Sequence, residues 1–288
     1  MRSMKIIVNA PAKINLYLDI LGRREDGYHD VEMVMQTVSL CDTVTVTRTK
    51  HGNINLTCSV PIPGPIERNA AYLAAQAFFE HANIFNPDID IHIKKRIPIC
   101  AGLAGGSSDA AAVLTALNQL FDTNFSKEEL AKLGEKIGAD VPFCVHGGTM
   151  LATDTGTTLE ALPPMPKCYF VIVKPNIAIS TRAAYEASDA STSSKSTSAK
   201  DIISAINSSD LQALSKSLYN RFEEVLALDE IEKIKFLLTQ HGALNACMSG
   251  SGSAVFGIFE AELQAIKCKE ALSAHYDGVF LAEPVCFT

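Results

Sequence analysis

The sequence predicts an α+β protein of two domains. Strand patterns alternate with helix patterns, but hairpin signals such as Asp26-Gly27 lie between strands, which favours mixed layers over a purely parallel sheet. A glycine-rich loop joins a strand to an alanine-rich helix in the first half of the chain. A proline-rich segment over 162–166 then precedes an apolar strand over 168–173. We therefore expect one domain over residues 1–160 and a second over 161–288.

The first domain contains the clearest strand of the sequence, over residues 12–20. Apolar side chains alternate there with polar ones, so Lys13 and Asn15 share one face of the strand. A lysine at such a position is commonly exposed to solvent, and this is the alternative to a functional role.

A polar turn follows the first strand and leads to Tyr28 and His29 at the start of a second strand. A tyrosine ring beside an imidazole suits a nucleobase, which can stack on the ring and hydrogen-bond at its edge. The alternative is a tyrosine that covers the end of the sheet. Further strands are predicted over 43–48 and 53–60, and a helix over 69–79.

The glycine-rich loop is the part of the sequence most typical of a ligand site. Its residues are Pro98, Ile99, Cys100, Ala101, Gly102, Leu103, Ala104, Gly105, Gly106, Ser107 and Ser108. It follows a strand over 89–93 and precedes a helix that Ser107 or Ser108 can cap. Glycines let a ligand approach the backbone, and helix N-termini attract anions, so phosphate is the expected ligand.

Two common phosphate-loop patterns are absent from this stretch. It has neither the Gly-Lys-Ser/Thr ending of a P-loop nor the G-x-G-x-x-G spacing of dinucleotide-binding folds. A tight turn with an ordinary helix cap is therefore the alternative interpretation of the loop.

A helix is predicted to begin at a capping box, Ser126-Lys127-Glu128-Glu129, and to end at Gly138. A second polar motif, which contains Asp140, follows this helix. Pro142 suits the first turn of the next helix, which places Asp140 near its N-terminus. Capping that helix is the alternative to a catalytic role for the Asp140 carboxylate.

The second domain continues the mixture of strands and helices. Residues 188–198 are rich in Ser and Thr and predict a mobile surface loop, which separates Tyr185 from helices near 210–228 and 230–241. Two strands, over 245–248 and 254–259, flank a glycine-serine loop, Ser249-Gly250-Ser251-Gly252-Ser253. A helix over 262–274 and a strand over 279–282 follow.

Composition narrows the class of protein. The net charge of −7 argues against nucleic-acid binding and against attachment to an anionic membrane. Eight scattered cysteines form no C-x-x-C pair, and the histidines show no metal-ligand spacing, so no metal site and no disulfide framework are expected. No apolar run is long enough for a signal peptide or a membrane span, which predicts a cytoplasmic protein.

These polar elements suit phosphoryl transfer, which needs positioning and charge neutralisation. The loop would hold the phosphates of a nucleotide. Asp140 would accept a proton from an attacking hydroxyl, Lys13 would keep that carboxylate ionised, and Asn15 could hold the hydroxyl.

The sequence resembles the GHMP superfamily of small-molecule kinases, which includes galactokinase, homoserine kinase, mevalonate kinase and phosphomevalonate kinase. Five motifs in the family's order carry the resemblance: Pro11-Ala12-Lys13-Ile14-Asn15-Leu16, Asp26-Gly27-Tyr28-His29, Gly102 to Ala111, Gly138-Ala139-Asp140-Val141-Pro142, and Ser249-Gly250-Ser251-Gly252. The first two motifs resemble those of one branch of the superfamily. Kinases of this branch phosphorylate the 2-hydroxyl of a cytidine diphosphate conjugate of methylerythritol, a step in isoprenoid precursor synthesis. A homoserine or mevalonate type of kinase is the alternative.

The resemblance implies a two-domain fold. The N-terminal nucleotide-binding domain would resemble domain 2 of ribosomal protein S5, and the C-terminal domain would be ferredoxin-like. It also implies ATP and Mg²⁺ as cofactors, a small-molecule substrate, and a monomer or weak dimer. Under this resemblance Lys13 and Asp140 are the catalytic residues, and residues 98–108 bind ATP.

The resemblance also assigns residues to the substrate. Asn15 would bind the substrate, Tyr28 and His29 would recognise cytosine, and Tyr185 would supply a second stacking ring. The phosphate loop departs from the family at Ala104, where glycine is usual, so we expect weaker or slightly shifted ATP binding.

Overall fold

A computed structural model describes residues 4–50, 52–61, 63–85, 87–191 and 198–286, and its mixture of helices and strands confirms the α+β class. The strands are β1 (Lys5–Arg23), β2 (His29–Arg48), β3 (Ile54–Cys58), β4 (Ile89–Lys94), β5 (Thr149–Thr153), β6 (Thr158–Ala161), β7 (Tyr169–Lys174), β8 (Tyr219–Asn220), β9 (Asn245–Met248), β10 (Val255–Phe259) and β11 (Gly278–Ala282). The α-helices are α1 (Ala70–His81), α2 (Gly105–Leu120), α3 (Lys127–Glu135), α4 (Val141–His146), α5 (Thr181–Ala190), α6 (Lys200–Asn207), α7 (Leu211–Lys216), α8 (Arg221–Leu226), α9 (Asp229–Gln240) and α10 (Glu262–Ser273).

The chain forms two compact units that are not continuous in sequence. The first comprises described residues of 1–12, 41–99 and 104–146, and the second comprises those of 13–40, 100–103 and 147–288. The long strands β1 and β2 each contribute residues to both units. The domain boundary expected at residue 160 therefore stays a prediction.

The first unit packs helices against a small sheet. Strand β3 is parallel to β4, with Ile54 opposite Ile89, and β4 is antiparallel to the end of β2, with Lys94 opposite Thr43. Helix α2 is buried along its alanine-rich face, where Ala110 is fully buried. Small side chains allow this close approach, and the predicted alanine-rich helix is confirmed.

The second unit contains a four-stranded antiparallel sheet in the order β11-β7-β10-β9. Every residue of β10 is buried, and it pairs with β7 on one side and β9 on the other. In the same unit β2 pairs with β5, and β5 pairs with β6 in a hairpin. Strand β1 is parallel to β8, with Tyr17 opposite Tyr219.

The predicted helix starts are confirmed where a side chain close in sequence caps the helix. Asn69 caps α1, and the Ser126 hydroxyl and the Glu129 carboxylate form the predicted capping box of α3. Helix α2 differs, since it begins at Gly105 after Ala104, and neither Ser107 nor Ser108 is its cap. The helical conformation of two successive glycines is poorly indicated by sequence because glycine has a low helix propensity.

Two predictions in the second unit were wrong. The helix expected over 210–228 is interrupted, because β8 separates α7 from α8. The Asn220 side chain donates hydrogen bonds there to the carbonyls of Met248 and Gly250, contacts that are remote in sequence. Residues 188–190, expected to belong to a mobile loop, lie in α5, which continues to Ala190, and residues 192–197 of that stretch lie outside the described residues.

Within the ranges that the structure describes, no helix is both long and apolar enough to cross a membrane.

Candidate active site

The first turn of α2 has the geometry of an anion site. Its cap, Ala104, has a left-handed backbone with φ 54° and ψ 30°, and the first intrahelical bond runs from the Ser108 N–H to the Ala104 carbonyl at 2.9 Å. The preceding N–H groups have no acceptor inside the helix. A Cβ added at Gly106 would meet no atom within 4 Å, so the backbone there is open to a ligand. These features fit a phosphate group.

The segment that leads to Asp140 lies near this turn, within the same unit. A Cβ added at Gly138 would be 3.9 Å from the Ser107 hydroxyl, so the segment just before α4 passes beside the start of α2. Asp140 is half-buried, and its carbonyl accepts a hydrogen bond from the Cys144 N–H at 3.0 Å. Asp140 therefore directly precedes the helix, as predicted.

A buried ion network that the sequence analysis missed lies against the same helix. The Lys95 ammonium is 2.7 Å from a carboxylate oxygen of Asp109 and 2.5 Å from one of Asp42. The other oxygen of Asp42 accepts the N–H groups of Arg96 and Ile97, at the end of β4. The network thus ties together the segments on both sides of the glycine loop.

The network has one cation for two acids. Burial raises the pKa of the Asp109 carboxyl to about 7; Lys95 opposes this shift, and Asp42 adds to it. The pKa of Lys95 is raised although burial opposes the ammonium charge, because Asp109 and Asp42 outweigh burial. No local sequence signal marks these three residues, since only the fold brings positions 42, 95 and 109 together.

The middle of the glycine loop belongs to the second unit, where it packs on the glycine-serine loop. The Ser249 hydroxyl donates to the Gly102 carbonyl at 2.9 Å, and the Ala254 N–H donates to the Ala101 carbonyl at 3.0 Å. Gly102 has φ 75°, and a Cβ there would lie 2.0 Å from the Ser249 carbonyl oxygen. Gly102 is therefore required both by its backbone angle and by this contact.

Lys13 and Asn15 form a buried pair in the second unit. Lys13 is 4% exposed and Asn15 is 0% exposed, so the alternative of a solvent-exposed lysine is wrong. The Lys13 ammonium donates to the Asn15 side-chain oxygen at 2.5 Å, and the Ser249 hydroxyl accepts the Asn15 N–H at 3.2 Å. The Lys13 N–H also bonds to the Leu103 carbonyl, at 3.1 Å.

Of the three residues predicted to bind a nucleobase, Tyr28 is exposed, whereas His29 and Tyr185 pack against each other. Tyr28 is 67% exposed, so it does not cover the sheet end. The His29 ring stacks on Tyr185, with centroids 4.6 Å apart. Its Nε2 lies 2.7 Å from an oxygen of Asp189, which the sequence analysis did not single out.

Lys13 belongs to the second unit and Asp140 to the first, so their pairing stays a prediction. No group of three or more His, Cys, Asp or Glu side chains that could hold a metal ion occurs in the described part of the chain.

Two family models match the sequence. The "GHMP kinases N terminal domain" matches residues 69–148, and "GHMP kinases C terminal" matches residues 202–278.

The sequence is also similar to named kinases over most of its length. A 4-diphosphocytidyl-2-C-methyl-D-erythritol kinase from Lachnoclostridium phytofermentans is 45% identical over 257 residues, which is 88% of each chain. A protein of the same name from Exiguobacterium sibiricum is 43% identical over 96% of this chain and 97% of its own.

The structure is similar to solved kinases. A crystal structure of a 4-(cytidine 5'-diphospho)-2C-methyl-D-erythritol kinase matches with a TM-score of 0.83 and 31% identity, over 98% of this chain and 100% of the other. A homoserine kinase from Cytophaga hutchinsonii matches with a TM-score of 0.76 and 18% identity, over 98% and 94%. The second similarity concerns the fold alone, and together these findings confirm the expected GHMP kinase fold.

Proposed function

The chain belongs to the 4-diphosphocytidyl-2-C-methyl-D-erythritol kinase family within the GHMP kinases, and from this premise we propose that it phosphorylates the 2-hydroxyl of that substrate with ATP. The products would be the 2-phosphate and ADP, and the reaction would serve isoprenoid precursor synthesis. The observation that carries the proposal is identity of 45% over 88% of the chain with a kinase of that name.

A homoserine or mevalonate type of kinase is the weaker alternative. The homoserine kinase and the mevalonate kinase from L. major are each 18% identical to this chain, a level that supports a common fold without a common substrate.

Use of ATP is a property of the kinase family to which the chain belongs. We propose that residues 98–108 bind its phosphates. The open backbone at Gly106 and the outward N–H groups at the start of α2 support this assignment. Mg²⁺ would neutralise charge on the phosphates, and we propose that phosphates and water hold it.

The reaction breaks the bond between the γ-phosphorus and the bridging oxygen of ADP while the substrate oxygen forms the new bond. Asp140 would take the hydroxyl proton, and Lys13 would keep this carboxylate ionised and attract charge in the transition state. Asn15 would orient the hydroxyl. The hydrogen bond from the Lys13 ammonium supports this role, because it fixes the Asn15 amide.

For base recognition we propose Tyr28, His29 and Tyr185. The exposed Tyr28 ring and the stacked His29–Tyr185 pair support the assignment. We further propose that the protein is cytoplasmic and is a monomer or weak dimer.

A coupled assay of ADP formation tests the function. The purified protein is supplied with ATP, Mg²⁺ and one acceptor at a time: the diphosphocytidyl methylerythritol compound, homoserine or mevalonate. We expect turnover with the first acceptor alone. Turnover with homoserine or mevalonate alone would refute the proposed substrate and support the alternative type of kinase. Absence of turnover with all three acceptors would refute the proposed kinase activity.

A further inference from the structure

Two residues of α5 hold the His29 side chain. Tyr185 stacks on the imidazole with an angle of 24° between the rings, and Asp189 contacts its Nε2 at 2.7 Å. Positions 185 and 189 are four residues apart, so both side chains lie on one face of the helix. The imidazole is therefore fixed in both its plane and its rotation.

The Asp189 carboxylate is itself anchored. Its second oxygen lies 3.6 Å from the guanidinium of Arg23, at the end of β1. This ion pair engages the second oxygen of the carboxylate and leaves the first one directed at the ring.

This contact determines where the imidazole carries its proton. An ionised carboxylate only accepts hydrogen bonds, so Nε2 must be the protonated nitrogen. In the neutral ring Nδ1 then carries a lone pair and acts as an acceptor. The hydrogen bond to Asp189 is the one that His29 makes through its side chain within the described part of the protein.

An acceptor at Nδ1 distinguishes the two pyrimidine bases. Cytosine has an exocyclic amino group, a donor, where uracil has a carbonyl oxygen, an acceptor. The lone pair would accept from the amino group of cytosine and would face the carbonyl oxygen of uracil without a proton between them. Resting on the proposed function, we propose that Asp189 is a positioning residue that fixes the His29 tautomer and so makes the substrate site select cytosine over uracil.

The experiment compares the cytidine diphosphate and uridine diphosphate forms of the methylerythritol substrate. The variants are Asp189→Ala and Asp189→Asn. Glu186→Gln is a matched control, because this exposed acid lies on the same helix and pairs with Arg182 rather than with the imidazole. For each protein, kcat and KM are measured with both substrates, and the affinities for CDP and UDP are measured by calorimetry.

The Asp189→Ala variant should lower the cytidine-to-uridine ratio of kcat/KM by about tenfold or more, because an unmatched polar group in a site is costly. The change should appear in KM for the cytidine substrate, with kcat changed less than about threefold. Asp189→Asn should give an intermediate ratio, since its amide offers Nε2 either an acceptor or a donor. Glu186→Gln should keep the wild-type ratio.

An unchanged ratio in both Asp189 variants would overturn the proposal, and so would an equal fall in kcat/KM for both substrates, which indicates a structural role alone. If Asp189→Ala fails to fold, Asp189→Asn decides. If the wild-type protein turns over neither substrate, the proposed function fails. The CDP-to-UDP affinity ratio then still tests Asp189: its loss in the variants supports the proposal, and its persistence refutes it.

Discussion

The Lys95 ammonium lies 2.7 Å from an Asp109 carboxylate oxygen at a buried position beside the first residue of α2. A Cβ added at Gly105 would be 3.4 Å from the same ammonium, so the helix start packs directly on the ion network. Because burial, with a further contribution from Asp42, raises the pKa of Asp109 to about 7, the Asp109 carboxyl should be partly protonated near neutral pH.

Protonation of Asp109 predicts a pH dependence of stability. The pKa of Asp109 is raised by burial, so between about pH 4 and pH 7 the folded state binds more protons than the unfolded state. The free energy of unfolding should therefore decrease as pH rises through this window, by up to about 1.4 kcal/mol per pH unit for one proton. Above this range the decrease should cease.

The Asp109→Asn variant should remove this decrease, because an amide does not titrate. Its stability relative to the wild type should rise from pH 5 to pH 8, and denaturant unfolding at several pH values measures it. Exposed Asp201 on α6 provides the control, since Asp201→Asn should preserve the wild-type pH profile. Equal pH profiles for Asp109→Asn and the wild type would contradict the raised pKa of Asp109.

The proposed catalytic pair predicts a loss of turnover without a loss of fold. Asp140→Ala and Lys13→Met should each lower kcat about a hundredfold or more, since a proton acceptor or a charge in the transition state is lost. Loss of a helix cap alone costs about 1 kcal/mol of stability and should leave kcat largely intact. Steady-state kinetics, with ATP affinity and thermal unfolding as controls, separate these cases. Wild-type kcat in either folded variant would refute the assigned role.

The contact between Gly102 and Ser249 predicts a structural failure in Gly102→Ala. The added Cβ would lie 2.0 Å from a backbone oxygen at a φ of 75°, so stability should fall by about 2 kcal/mol or more. Gly106→Ala is the matched variant, because the corresponding Cβ meets no atom within 4 Å.

Gly106→Ala should keep or raise stability, since alanine favours a helix, but should increase KM for ATP if phosphates approach this backbone. Thermal unfolding and ATP titrations distinguish the two effects. Equal stability of Gly102→Ala and the wild type would contradict the packing, and an unchanged KM in Gly106→Ala would contradict the phosphate site.

The left-handed backbone of Ala104 predicts that glycine is better at this position. An alanine with φ 54° is strained, so Ala104→Gly should raise stability by up to about 1 kcal/mol after the larger entropy of the unfolded glycine is subtracted. It should also lower KM for ATP. Ala183→Gly, at an exposed helical position in α5, should instead destabilise by about 1 kcal/mol. Chemical denaturation measures both, and equal destabilisation would refute the strain at Ala104.

Features that depend on neighbouring residues along the chain could be predicted from the sequence. The Ser126 capping box, the Asn69 helix start and the strand preceding the glycine loop are local patterns, and each is found in the structure. The order of the family motifs identified the GHMP kinases for the same reason, because a motif is a property of consecutive residues.

Which polar groups are buried, and what they contact, became known from the folded structure. Alternation placed Lys13 and Asn15 on one face, but burial of that face depends on what packs against it. The Asp42–Lys95–Asp109 network and the His29–Asp189 contact join positions up to 160 residues apart. Such contacts leave no periodic trace in sequence, because they arise only when separate segments fold together and exclude water from the groups between them.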